Sequence, residues 1–158
     1  MPKMKKTIIV FSGELDKALA AFTIANGVAA MGDDVTMFFT FWGLNILRRS
    51  NKVKAKKSFL QAMFSKMMPR GAGKLGLSKM NFGGMGAKMM KIVMRQEGIS
   101  SLEELIASAR EQGVKFIACT MSMGFMGVRK EELIDGLEYA GVASYLEEAD
   151  EANVNLFI

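Results

Sequence analysis

Cys119 is the one cysteine of this 158-residue chain, and no histidine accompanies it. Histidine is the commonest general base and the commonest transition-metal ligand, so its absence removes Ser-His-Asp and Cys-His catalysis together. A lone thiolate could complete a zinc site only through carboxylates, and none cluster beside Cys119, so no metal and no cofactor is expected. A single cysteine also precludes an internal disulfide. The chemistry left open is that of a thiol, or of the substrate itself.

The surroundings of the sulfur are informative. Val114-Lys115-Phe116-Ile117-Ala118 is an apolar run that Cys119 closes, and Thr120-Met121-Ser122-Met123-Gly124 follows as the start of a helix. In open α/β sheets ligands gather beyond the carboxyl ends of the strands, and a thiol at a helix N-terminus meets positive potential that favours the thiolate. The alternative is a structural role, because an unpaired cysteine is among the most buried residue types. Two further groups should reach the same edge. Phe38-Phe39-Thr40-Phe41-Trp42-Gly43 ends the second strand as an aromatic wall that either shields a reactive sulfur or belongs to the core. Ser12 and Gly13, after the first strand, offer a hydroxyl and backbone N–H groups, or else Ser12 caps the following helix.

The elements that would hold these residues follow from pattern. Lys5 to Phe11 reads as a strand, and Glu14 to Met31 as a helix with Leu15, Leu19, Phe22, Ala25 and Val28 on one face, ended by Gly32. Val35 to Phe41 is a strand covered on both sides, and Trp42 starts the next helix. Serine followed by glutamate three residues on predicts a helix from Ser101 to Gly113, and Val114 to Cys119 is the third strand. Lys130 to Tyr139 is expected to be helical, Gly141-Val142-Ala143 a short strand, Ser144 to Glu151 a helix and Val154 to Ile158 the last strand. The count of four or five strands separated by helices implies one three-layer, doubly wound, mostly parallel α/β domain over residues 1–158.

A basic, Met- and Gly-rich insertion interrupts it at about 48–96. Between Arg48 and Gln96 there are 13 Lys or Arg and no acid, which leaves 8 basic and 16 acidic residues elsewhere, and 8 of the 15 methionines lie there. Ser58 to Met68 and Ala87 to Arg95 read as helices around a middle, Pro69 to Gly86, that carries no regular pattern and is expected to be mobile and protease-sensitive. The Met- and Phe-bearing helices either pack against the domain or a second subunit, or repack on an acidic partner or an anionic membrane surface. Nucleic acid is not expected, because Phe59, Phe64 and Phe82 form no stacking platform. Gly71-Ala72-Gly73-Lys74-Leu75-Gly76 fits G-x-G-x-x-G but follows Pro69 instead of a strand, and Gly73-Lys74 lacks the flanking residues of a P-loop. No apolar run approaches the roughly 18 residues of a membrane span, and the basic start precedes a strand, so a cytoplasmic protein is expected.

Three segments together resemble the DsrE/DsrF/DsrH-like proteins, and among them the DsrE2-type branch: Phe39-Thr40-Phe41-Trp42-Gly43-Leu44, Ala118-Cys119-Thr120-Met121-Ser122-Met123, and Gly141-Val142-Ala143-Ser144-Tyr145-Leu146. The resemblance covers nearly the whole chain. It implies a doubly wound fold, assembly as a homotrimer or homohexamer, and a place in sulfur relay, with Cys119 accepting sulfane sulfur as a persulfide. A rhodanese-like donor and a small carrier of the TusA type are the partners it implies. Ser12, Gly13, Trp42, Thr120, Met121 and Ser122 are the substrate-binding candidates beside that sulfur. The competing expectation is a binding or scaffold module, with a buried structural cysteine and recognition through the insertion.

Overall fold

The computed structural model describes residues 2–158. Five parallel strands, β1 (Lys5–Val10), β2 (Asp34–Phe39), β3 (Lys115–Cys119), β4 (Glu138–Ala140) and β5 (Val154–Phe157), form one sheet in the order β4-β3-β2-β1-β5. From β1 to β4 each new strand is added on the same side. The last crossover returns past the whole sheet to lay β5 beside β1. Because parallel crossovers are right-handed, reversing the direction of winding puts the final helix on the opposite face. The sheet is therefore doubly wound.

One face is thickly covered. Helices α1 (Leu15–Ala30) and α4 (Leu102–Glu111) pack side by side over Ile8, Val10, Met37, Phe39, Phe116 and Ala118, all buried. Phe22 of α1 is fully buried at the centre, 5.6 Å from the Phe116 ring and 6.0 Å from that of Phe39. The expected capping box starts α4, with the Ser101 hydroxyl accepting from the Glu104 N–H and the Glu104 carboxylate from the Ser101 N–H.

The insertion adds to this same face. Helices α2 (Phe59–Met67) and α3 (Met85–Gln96) flank a middle that lacks regular structure beyond 3₁₀ turns at Ala72–Lys74 and Phe82–Gly84. The middle that composition marks as mobile has fixed partners. Leu75 is buried in the larger core, the Leu15 N–H at the start of α1 donates to the Gly76 carbonyl at 2.7 Å, and Ser78 donates to Asp16. An irregular backbone can be rigid when its polar groups find fixed partners.

Two other expectations fail around residues 130–144. Lys130 to Tyr139 is no helix: a single 3₁₀ turn at Lys130–Glu132 gives way to extended backbone, and β4 follows at Glu138–Ala140. Glu132 is drawn inside by Lys57 at 2.7 Å and Arg48 at 3.7 Å, and Leu133 pairs antiparallel with Arg48. That bridge demands an extended chain at Leu133, which ends any helix there. Gly141 to Ala143 is not a strand either. Gly141 precedes the first turn of α6 (Val142–Asp150), so the serine-to-glutamate pattern from Ser144 falls inside a helix already begun.

Candidate functional site

Cys119 is the last residue of β3 and directly precedes α5 (Thr120–Met126), as the sequence reading expects. Its side chain lies on the thinly covered face. There Cys119, at 2 % exposure, packs with Phe38, Ile117 and Tyr145, bordered by Ile9, Ala140 and Ala149. Tyr145 belongs to α6, the nine-residue helix that covers this face, and its ring lies 5.1 Å from that of Phe38. The thiol is thus roofed by one short element.

Polar contacts tie that roof down. The Tyr145 hydroxyl hydrogen-bonds the buried Thr7 hydroxyl at 3.1 Å. Glu148, one turn further along α6, accepts from Lys5 at 2.7 Å, Lys115 at 2.9 Å and the Thr36 hydroxyl at 3.1 Å. The Lys5 hydrogen bond, against the opposing effect of burial and with Lys115 assisting, pulls the Glu148 carboxyl down to about 2. The same contact raises Lys115 above its ordinary value. Ionic and hydroxyl groups thus join Tyr145 in attaching α6 to the sheet.

The aromatic run at the end of β2 divides among several destinations. Phe38 alone packs on Cys119, whereas Phe39 turns into the opposite core. Phe41 has φ +48, uncommon for a bulky residue, and its ring lies 5.0 Å from both Phe11 and Phe125. Trp42, 44 % exposed, faces Phe64 of α2 at 6.2 Å. With Phe157 stacked on Phe11 at 5.6 Å, aromatic rings line the carboxyl edge from β5 to α5.

The remaining candidates meet at this edge by backbone contact. A Cβ on Gly13 would lie 2.5 Å from the Trp42 carbonyl, and one on Gly43 only 2.0 Å from the Val10 carbonyl, so both loops close only with glycine. Ser12 caps no helix: Glu14 occupies the N-cap of α1, and the Ser12 N–H donates to the Ile158 carbonyl at 3.2 Å. Ser122, fully buried, hydrogen-bonds Thr40 at 2.7 Å and so clamps α5 to the end of β2. Thr120 and Met121 are exposed. The structure joins Ser12, Gly13 and Trp42 at one end of the edge, and Cys119, Thr120 and Ser122 at the other. Sequence reasoning missed Tyr145, Thr7, Thr40 and Glu148. The signal for Tyr145 lay in the third family segment, and for Thr7 and Thr36 in hydroxyls placed among apolar strand residues.

A family model for the DsrE/DsrF/DrsH-like family matches residues 2–157. The chain belongs to this family. Among its relatives, the uncharacterized protein YrkE of Bacillus subtilis strain 168 is 56 % identical over 154 residues, covering 98 % of this chain and 96 % of that protein. The sulfur carrier protein DsrE2 of Allochromatium vinosum is 38 % identical over 162 residues, covering both chains completely. Two solved structures share the DsrE-like fold at low identity. The protein of unknown function MTH1491 from Methanobacterium thermoautotrophicum has a TM-score of 0.58 at 12 % identity, covering 98 % of this chain and 99 % of that one. The ychN protein of E. coli has a TM-score of 0.56 at 13 % identity, covering 98 % and 100 %. Among the described residues no helix is long and apolar enough to cross a membrane, and no cluster of three or more carboxylate or thiol ligands could hold a metal.

Proposed function

We propose that this DsrE-like protein is a cytoplasmic sulfur carrier of a sulfur-relay system, with Cys119 as the persulfide site. The reading is carried by one observation: the only thiol of a histidine-free chain ends a central strand at the carboxyl edge of the sheet, beneath a single short helix. Its membership of the family and its full-length similarity to a protein named as a sulfur carrier support it. The Cys119 thiolate attacks the outer sulfur of a donor persulfide, the donor's S–S bond breaks, and the donor leaves as a thiolate. The reverse exchange, from an acceptor thiolate, unloads the sulfur. Neither half changes the net oxidation state, and neither requires a histidine. A rhodanese-like donor and a TusA-type acceptor are the partners proposed. Ser12, Gly13, Trp42, Thr120 and Met121 form the surface they meet, and the buried Ser122 holds the start of α5 beneath it.

Burial of Cys119 requires that its cover open before sulfur transfer, and α6 is the short element that covers it. Incubation with polysulfide should add the mass of one sulfur atom to the wild type and none to Cys119→Ser, and equal labelling of both would sink the proposal. The same burial favours a second reading, a binding module with a structural cysteine, for which iodoacetamide reacts only after unfolding. Assembly as a trimer or hexamer is proposed from the exposed apolar residues of the insertion, among them Phe59, Leu60, Met67, Met89 and Val93. Light scattering that reveals only monomers at micromolar concentration would reject it.

A further inference from the structure

A concavity lies away from Cys119. It is a cleft of about 540 Å³ between the 3₁₀ turn at Ala72–Lys74, the segment Ile46–Asn51 and the outer side of α4. No residue of the Cys119 cluster lines it. Its polar lining is cationic: Arg48, Arg49, Arg70, Lys74 and Arg110 stand against one lining carboxylate, Glu103. Arg49 is engaged by Asp135 at 2.8 Å, and Arg110 donates to the Asp135 carbonyl. Arg70 and Lys74 have no acidic partner among the described residues.

The charge extends below the surface. Arg48 is 98 % buried; its Nη atoms reach Ser65, the Pro69 carbonyl and Glu132, but its Nε has no partner. Glu132 already serves the half-buried Lys57, so two cations share one buried carboxylate. Gly71, at φ +84, seats the turn against this residue, since a Cβ there would lie 2.5 Å from the Arg48 carbonyl. Between the cations the wall is apolar, from Ile46, Ile106, Ala107 and Ile134. An excess of positive charge in a concavity with a low-dielectric wall concentrates anions, and the size suits a small molecule.

We propose that this cleft binds a small organic oxyanion, a phosphate or sulfonate, with Arg49, Arg70, Lys74 and Arg110 around the anionic group and the isoleucines against the organic body. The segment is the one whose glycines fit a dinucleotide fingerprint by spacing, and the proposed recognition rests instead on side-chain charge. It is independent of sulfur transfer at Cys119.

The test is an NMR titration of the full-length protein with phenyl phosphate and with inorganic phosphate at ionic strength held constant by sodium chloride, following the amides of Gly71 and Gly73. Saturable shifts are expected, with phenyl phosphate the tighter ligand. Two charge-assisted contacts are lost in Arg70→Gln/Lys74→Gln, which should weaken binding at least about tenfold. Arg70→Lys/Lys74→Arg keeps both charges and should stay within about threefold of wild type. Lys3→Gln/Lys79→Gln, with charges outside the cleft, should bind as wild type. Shifts that fail to saturate, or that weaken equally in the two glutamine variants, would overturn the proposal. So would binding to anionic vesicles that phenyl phosphate does not compete, which would mark an extended polyanion surface.

Discussion

The two faces of the sheet are built on different principles. Under α1 and α4 the contacts are large and apolar, with Phe22, Phe39 and Phe116 meeting edge to face or tilted and the insertion contributing Leu75 to the same core. Under α6 the apolar set shrinks to Phe38, Ile117, Cys119 and Tyr145, and the attachment passes to hydroxyls and to Glu148 with its lysines. Dispersion and burial add over a wide area and cannot be released locally, whereas a short helix held by a few polar contacts can open without unfolding the domain. The sulfur lies on the thinly covered face.

The sharpest way to break this contrast is to empty both faces. Phe22→Ala should cost about 3–5 kcal/mol of unfolding free energy in urea, as a large buried ring lost from a close-packed core. Tyr145→Ala should cost clearly less. A Tyr145→Ala loss as large as that of Phe22→Ala would mean that the two faces are equally structural. Next in size is Glu148. Its carboxyl, held at about 2 in the folded protein against an ordinary 4.5, adds stability that is present above about 4.5 and disappears as the pH falls towards 2. Glu148→Gln should therefore destabilise by about 1–2 kcal/mol at pH 7, a figure reduced for solvent screening at this surface pair, and the gap to wild type should close on acidification. A gap independent of pH would show that packing, not charge, fixes α6.

Smaller still is Tyr145→Phe, which removes one hydrogen bond to Thr7 and should cost about 1 kcal/mol. The informative readout is kinetic. If α6 opens as a unit, iodoacetamide should label Cys119 about fivefold faster in Tyr145→Phe, because about 1 kcal/mol of lost cover raises the open population by about that factor. An unchanged labelling rate, with stability reduced, would place the route to the sulfur elsewhere.

The sequence disclosed the thick face well and the thin face poorly, for a physical reason. Helical spacing of Leu15, Phe22 and Ala25 and the Ser101–Glu104 box are local signals that tertiary contacts only reinforce. The strand that ends in Cys119 is equally legible, because an apolar run between the glycine that ends one helix and the start of the next has few alternatives. Around residues 130–144 the deciding forces are long-range. Glu132 is pulled in by Lys57 and Arg48 from the insertion, and no pattern within the segment announces that partner. Burial of Cys119 under Tyr145 is of the same kind, set by where the last crossover lays α6. The irregular middle of the insertion looks mobile by composition, since glycine content reports conformational freedom and not the partners that remove it.

That last point yields the finest division of the molecule. If the middle of the insertion belongs to the thick face, its backbone should resist protease although it lacks regular structure. The Gly71 N–H donates to the Asn45 carbonyl, Leu75 is in the core, and Gly76 and Ser78 are fastened to the start of α1, so Arg70 and Lys74 are held on both sides. The stretch 52–57 contrasts with it: Lys52 and Lys54 are exposed, in neither helix nor strand, before Lys57 is fixed by Ser65 and Glu132. Cleavage requires the chain around the scissile bond to unfold locally into the protease, which is possible only where few contacts must break. Trypsin under native conditions should therefore cut first after Lys52 or Lys54, and the nicked protein should retain its fold and its Cys119 labelling rate. Early fragments ending at Arg70 or Lys74 would detach the middle of the insertion from the thick face and return it to the mobile segment that its composition suggests.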